Sequence, residues 1–312
     1  VQTSRFAGRD YAAALGVILI WGTNFVAMKM ALRELTPFQL GAGRYLFAVL
    51  PLVLFVPRPR LAARWIVLYG LFQGVGQFGL LFLSLRVGMS AALASVLLQT
   101  QVFFTALFGA VVLKERVGKP LMAGLVLAAG GLACFGAHYL AGGAGGTTPV
   151  GFALCVGSAA MWAASNVVVR MAQRATPRFD VVPFMVWSSL VPIVPFALLS
   201  LAFDAPASRC CLSSVSGHAV GALAYLGWFA TILAYALWTG LLKRHTASRV
   251  APFSLGVPLV GVGAGMMLLG DVISGWQWAG IGLLGASLLV ALGVGPRLAR
   301  KARAVVVRHD EP

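Results

Sequence analysis

The residues able to do chemistry are a set of amides and one cation, and each stands inside an apolar run. Asn24, Gln73, Gln77, Ser95, Gln99, Thr100, Gln101 and Asn166 all interrupt long hydrophobic stretches. Side-chain amides both donate and accept hydrogen bonds. Gln73 and Gln77 stand at i and i+4, so they share one helix face. Such a pair suits a zwitterionic ligand, and it equally suits hydrogen bonding between neighbouring helices. Arg44 is the odd charge, lying beyond Pro37 by roughly 10 Å of helix. It either meets a carboxylate in a cavity or extends toward lipid headgroups.

Aromatic residues add a second surface. Trp21, Tyr45, Phe78, Phe82, Trp162, Trp187, Trp228 and Tyr235 are candidates for lining a site that takes flat, apolar groups. With Asn24, Arg44, Gln73, Gln77, Gln99, Gln101 and Asn166 they form the expected substrate-binding set. Ordinary packing is the competing reading for each. Trp65, Trp276 and Trp278 adjoin charged or polar ends and fit an interfacial belt.

Nothing in the chain suggests bond-making catalysis. The histidines (His138, His218, His245 and His309) are scattered, and the cysteines (Cys134, Cys155, Cys210 and Cys211) lack metal-ligand spacing. No catalytic residue, metal site or cofactor is expected. The run GVGQFG at 74–79 spells a dinucleotide fingerprint, but no strand precedes it, so it is read as a helix-contact feature. The GxxxG pairs Gly70/Gly74 and Gly261/Gly265 are read in the same way. The acids Asp10, Glu34, Glu115, Asp180, Asp204, Asp271, Asp310 and Glu311 fall in tails, loops or helix ends. Any ion coupling is therefore expected to proceed without a mid-membrane carboxylate. Glu115 is read as pairing with its neighbours Lys114, Arg116 and Lys119 to fix a helix end, and Asp271 stands at the mirrored place.

The elements that position these residues must be membrane helices. Only 10% of the 312 residues are charged, 60% are hydrophobic, and the mean hydropathy is +0.90. A soluble domain carries roughly 25% charged residues. The net charge of +16 forms no face suited to nucleic acid; it lies in short loops. At about 20 residues per crossing, the apolar runs predict helices near 11–31, 38–56, 65–86, 90–113, 120–140, 150–171, 181–203, 217–241, 249–270 and 277–296. The run AGGAGGTTP at Ala141–Pro149 divides the longest charge-free stretch. With the N-terminus inside, 19 of the 24 basic residues fall on the inner side. That asymmetry predicts both termini in the cytoplasm.

The chain also repeats itself. WGTNFVAMKMALRELTP at 21–37 resembles WAASNVVVRMAQRATP at 162–177, and LKERVGKPLMAG at 113–124 resembles LGDVISGWQWAG at 269–280. Trp21 pairs with Trp162, Lys29 with Arg170, and Glu115 with Asp271. Five spans per half force the second copy to enter from the opposite side, the inverted arrangement used for alternating access. The expected fold class is an all-α membrane protein of ten transmembrane helices in two inverted-topology repeats. The halves are 1–140 and 141–312, the second including a basic cytoplasmic tail.

Three stretches carry a family resemblance: Trp21–Phe25 (W-G-x-N-F), Leu113–Arg116 (L-x-E-R) and Pro252–Leu259 (P-F-S-L-x-V-P-L). On these the chain resembles the drug/metabolite transporter superfamily, of the type with paired EamA domains. More narrowly it resembles the YddG group of aromatic amino acid exporters. The resemblance covers nearly the whole chain. It implies ten helices, a central cavity between the halves, and export from the cytoplasm across a bacterial inner membrane. Val102 stands where Pro258 stands in the second half, so Pro258 is the expected hinge in one half only. The expected solute is a small amino acid or related metabolite, an aromatic amino acid above all. Other metabolites or amphiphilic drugs are the alternative solutes, and a non-transporting scaffold the alternative role. The other expected partner is membrane lipid, with no nucleic acid, and the chain is read as a monomer.

Overall fold

An apolar solvent leaves a backbone little choice: each N–H and C=O must be satisfied within the segment, and a helix does that. A computed structural model describes residues 6–115, 118–140, 148–176, 179–206, 215–245 and 247–291, without side chains at 138–140, 242–243, 247–248 and 251–252. The described residues form helices and turns, with no strand among them. The expected break at 141–147, the basic tail from 292 onward and the Cys210–Cys211 pair lie outside the described residues.

We number the helical segments in chain order: α1 (Gly8–Ala31), α2 (Pro37–Val49), α3 (Ala63–Arg86), α4 (Ala91–Leu113), α5 (Lys119–Leu140), α6 (Pro149–Ala175), α7 (Val181–Phe203), α8 (Gly217–Leu241), α9 (Phe253–Leu269) and α10 (Gly275–Ala291). Among the described residues, 7 of these are long and apolar enough to cross a membrane; α9 and α10 are shorter apolar helices. Helix α2 spans only 13 residues, shorter than the sequence predicts. Pro51 follows its end, and a short 3-10 turn at Leu52–Leu54 takes over, because proline cannot supply the next helical N–H.

The helix starts are chemically marked. Thr36 accepts from Gln39 N at 3.1 Å while the Gln39 side chain accepts from Thr36 N at 3.0 Å, a capping box with Pro37 in the first turn. Thr148, Ser90 and Ser216 cap α6, α4 and α8 through their hydroxyls.

Two long helices change winding midway. The Gly70–Phe78 part of α3 and the Tyr225–Leu233 part of α8 are π-helical. A π turn widens the helix and shifts the phase of its faces, and it is frequent at functional sites. In α8 the Thr231 hydroxyl donates to Leu226 O at 2.8 Å, five residues back. In α3 the widened stretch packs on α7, where a Cβ at Gly74 would run into the Pro192 ring. Helices α4 and α9 carry 3-10 turns instead, at Leu98–Thr100 and Ala251–Leu255.

The helices pack in a regular scheme. Helix α1 lies against α9 and α8, and α6 lies against α4 and α3. Helix α2 meets α7, α4 meets α9, and α5 meets α10 over the longest shared face. Buried residues from all ten segments join in one core cluster, which includes Phe25, Phe82, Leu93, Phe135, Phe196, Val262 and Leu284.

Candidate functional site

At the centre of this packing is a cavity of about 360 Å³, within the size range of small-ligand sites. It gathers most of the residues singled out from the sequence. Trp21, Asn24, Arg44, Gln73, Gln77, Phe78, Gln99, Gln101, Trp162, Asn166 and Tyr235 line it together with Ser95. They come from α1, α2, α3, α4, α6 and α8. Chain separations of up to 214 residues (Trp21 to Tyr235) are therefore closed by helix packing alone.

Arg44 holds the deepest charge. Its side chain is 1% exposed. Nε donates to Thr231 Oγ1 at 3.2 Å, Nη1 donates to Asn24 Oδ1 at 3.3 Å, and the guanidinium lies 3.8 Å from the Phe78 ring centroid. All three partners are neutral. Among the described residues no carboxylate lies within ion-pair distance of it. Buried charges are ordinarily paired, because desolvation is costly. An anion entering the cavity would supply the missing partner, and the planar guanidinium matches a carboxylate in geometry.

The amides are arranged in two relays. Gln73 Nε2 donates to Gln77 Oε1 at 2.9 Å, and the Ser165 hydroxyl lies 2.5 Å from Gln73 Oε1 and 2.7 Å from Trp162 O. Ser165 has one proton for two acceptors, so the relay can reverse and present either an N–H or a C=O at Gln77. In the second relay Asn166 Nδ2 donates to Gln101 Oε1 at 2.9 Å and to Thr105 Oγ1 at 3.2 Å. Gln99 Nε2 reaches Ser254 O at 3.3 Å on α9. The amides thus tie α3 to α6 and α4 to α6 while facing the cavity.

Aromatic rings form one wall. Trp21 donates through Nε1 to Ala230 O at 3.0 Å, a carbonyl in the π-helical part of α8. Its ring stands edge-on to Tyr235 at 5.0 Å and 5.8 Å from Trp238. Trp238 lines the cavity and was not among the sequence candidates. Its spacing from Tyr235, i to i+3, was the available signal.

Four aromatic candidates lie elsewhere. Tyr45 and Phe82 are buried in the core beside Phe196, Trp187 donates to Val56 O at 3.1 Å, and Trp228 is 42% exposed with Nε1 donating to Leu50 O at 2.9 Å. Pro258 sits in the first turn of Gly256–Leu269, just after the 3-10 turn, where its missing N–H costs nothing.

A second cavity, about 280 Å³, adjoins the first and shares Gln101 and Val102 with it. Thr105, Ala106, Leu121, Glu115 and Arg170 complete its lining. Among the described residues Glu115 pairs across the fold and not with Lys114 or Lys119; Arg116, the third expected neighbour, lies outside them. Its Oε2 accepts from Arg170 Nη1 at 2.5 Å and its Oε1 from Arg174 Nη2 at 3.2 Å, both on α6.

The lining thus extends to helix ends on the Glu115 side, where Trp238 and Ser254 also lie. On the Asp271 side it stops at Leu81, Ser95 and Phe25, and the helices are stitched together beyond. Asp271 Oδ2 accepts from Ala92 N at 2.9 Å. Lys29 Nζ donates to Leu85 O at 2.6 Å and Met89 O at 2.9 Å, and Arg86 Nη1 donates to Leu32 O at 2.8 Å. These cations sit on the carbonyl ends of α3 and α1, where the helix dipole favours them. Asp10 is buried too, but away from the cavities, accepting from Arg244 Nε and His245 Nε2 at 2.9 Å each.

The EamA-like transporter family matches residues 10–137 and 149–293 of the chain. A protein of Salmonella typhimurium named "Probable amino-acid metabolite efflux pump" is 38% identical over 301 residues, covering 95% of this chain and 98% of its own. A protein of Escherichia coli K12 with the same name is 35% identical over 283 residues, covering 90% of this chain and 94% of its own. A solved crystal structure aligns with a TM-score of 0.59 at 20% identity, covering 93% of this chain and 98% of its own. That last likeness is one of fold alone.

Proposed function

The chain belongs to the EamA-like transporter family, and from that premise we propose that it exports amino-acid metabolites, aromatic amino acids among them, from the cytoplasm by alternating access. The observation that carries the substrate class is Arg44: a fully buried guanidinium facing a cavity, with only neutral partners among the described residues. A substrate carboxylate pairs with it. Trp21, Phe78, Trp162, Tyr235 and Trp238 take an apolar or aromatic side chain, and the amide relays orient the polar end. The names of the two bacterial relatives agree with this reading.

The transport mode rests on the two halves, which divide near residue 140 and enter the membrane in opposite senses. Exchanging α1 with α6, α2 with α7, α3 with α8, α4 with α9 and α5 with α10 turns the packing scheme into itself: α1–α9 becomes α6–α4, and α1–α8 becomes α6–α3. The π-helical stretches of α3 and α8 exchange as well, as do the 3-10 turns of α4 and α9. In the state described, the cavity opens toward the Glu115 side and is closed at the Asp271 side. The excess of basic residues in the loops on the Glu115 side supports reading that side as cytoplasmic. In the opposite state Glu115 takes the part now played by Asp271. It would meet the short helical turn Ala247–Val250 before α9, in register with the start of α4, and release Arg170. Pro258 and the 3-10 turn before it are where α9 bends.

The test is flux into proteoliposomes containing the purified protein, with a labelled panel of aromatic amino acids, other amino acids and their metabolites. The reading predicts counterflow of at least one aromatic amino acid, lost in Arg44→Gln. Flux no greater than in protein-free vesicles for the whole panel would contradict it.

A further inference from the structure

The central cavity supplies a charge for only one end of an amino acid. Among the described residues its lining carries a cation, Arg44, and no carboxylate. Nothing there selects an α-ammonium by charge. Among the described residues lining either cavity, Glu115 is the one carboxylate, and it stands in the second cavity beside Arg170.

Resting on the reading above, we propose that this second cavity is a separate, transient binding site for zwitterionic amino acids, and that Glu115 is the residue that selects for the α-ammonium group. The chemistry of the lining fits both ends of such a ligand. Glu115 receives the ammonium, and Arg170 receives the carboxylate. Their present mutual contact at 2.5 Å holds the two groups ready and is replaced by the ligand's own charges. Glu115 and Arg170 are 39% and 42% exposed, so both are reachable. An ion pair this open contributes little, and separating it costs little. Arg174, at 3.2 Å from Glu115 Oε1, stays as the counter-ion when Arg170 turns to the ligand.

Geometry also connects the site to the central one. Asn166, Gln101 and Thr105 form a hydrogen-bonded group at the boundary, and Gln101 lines both cavities. A solute leaving Glu115 passes this polar threshold and meets Arg44 next. The ammonium is thus inspected at the mouth and the carboxylate in the centre. Two stations with different charge sets let a carrier reject deaminated acids without placing a costly carboxylate in mid-membrane.

The experiment compares L-phenylalanine with 3-phenylpropanoate, which lacks the ammonium, in proteoliposomes of wild type, Glu115→Gln and Arg44→Gln. Thermal melting of each purified variant establishes that it folds. The expected result is that Glu115→Gln raises the half-saturation concentration for L-phenylalanine by about tenfold more than that for 3-phenylpropanoate, the scale of one charge-assisted contact; a lost gate contact moves both solutes alike and leaves this ratio untouched. Arg44→Gln weakens both. If Glu115→Gln melts early, Glu115→Asp replaces it, with the same loss of preference in smaller degree expected. Equal shifts for both solutes, or no shift, in a folded Glu115 variant would overturn the selector while leaving the Arg44 reading intact. Indifference of both solutes to Arg44→Gln, or no L-phenylalanine flux in wild type, would overturn the central reading and this inference with it.

Discussion

Glu115 and Asp271 occupy the same local structure at opposite ends of the molecule. Each follows a residue of left-handed backbone, Lys114 at φ 54° and Gly270 at φ 69°. Each donates its own N–H six residues back, to Gly109 O and Gly265 O, at 3.2 Å in both cases. The left-handed residue's own N–H reaches the same carbonyl, so both helices end in a left-handed cap one residue wider than the Schellman motif, with the acidic side chain back over the last turn. The employment then differs. Asp271 reaches a backbone amide at the start of α4 and helps close its end. Glu115 reaches two arginines of α6 and borders an open cavity. Matching sequence has produced matching caps with different partners, and under the proposed alternating access the two ends stand for the two states of one gate.

The largest effect that would sharpen this contrast comes from the two glycines beneath the acids. A Cβ at Gly265 would lie 2.6 Å from Asp271 Oδ2 and 2.8 Å from Ala92 N. Gly265→Val therefore blocks closure at the Asp271 end. Overpacking of this kind costs roughly 1–3 kcal/mol, which lowers transport by about ten- to a hundredfold if it falls on one state of the cycle. Gly109→Val meets only the side-chain ends of Glu115 at 3.0 Å and Arg170 at 3.3 Å, which can move aside. Its effect on flux should be several times smaller. Equal losses in the two variants would erase the distinction between a closed and an open end.

Next in size is the backbone difference between the caps. Lys114 adopts a conformation that glycine adopts freely at position 270. Lys114→Gly is expected to stabilise the protein by about 1 kcal/mol, read as a rise in melting temperature, whereas Gly270→Ala should lower it by a similar amount.

The smallest effect concerns the Asp271 end alone. Glu34, in the α1–α2 turn, accepts from the Ser216 hydroxyl at 2.6 Å and from Ser216 N at 2.9 Å, and these bonds hold its carboxyl below the usual glutamate range. A lowered folded-state pKa stabilises above the ordinary glutamate value and loses that contribution as pH falls through the folded one. Glu34→Gln should therefore flatten the acid limb of the stability curve slightly and leave neutral pH almost unchanged. A large loss at neutral pH would mean that this contact anchors the closed end.

Much of the helical plan was legible because charge is so scarce: each basic loop marks a turn, and the apolar runs between them are too long for anything but helix. The centre was legible for a related reason. Arg44, Gln73, Gln77 and Asn166 interrupt apolar runs, where polar groups persist only if paired or facing a cavity. The aromatic candidates separated less cleanly, since rings serve packing and recognition equally. Tyr45 and Phe82 went to the core beside Phe196, and Trp238 reached the cavity instead. The partners of Glu115 were not legible. Lys114, Arg116 and Lys119 are its neighbours in the chain, while Arg170 lies 55 residues away. The π winding left no pattern in composition either; the π stretch of α8 lies against α2, and that of α3 meets Val191 and Pro192 through Gly70 and Gly74.

Thiol accessibility in a cysteine-free background tests the alternation most directly. Ala106→Cys lines the cavity beside Glu115, and Ser95→Cys lies under the stitched end beside Gly261. With a membrane-impermeant maleimide, the account predicts that Ala106→Cys labels only from the Glu115 side. It predicts that Ser95→Cys is protected from the Asp271 side until a transported aromatic amino acid is added, and then labels from that side as Ala106→Cys becomes protected from the Glu115 side. Labelling of both positions that ignores the added solute would contradict it.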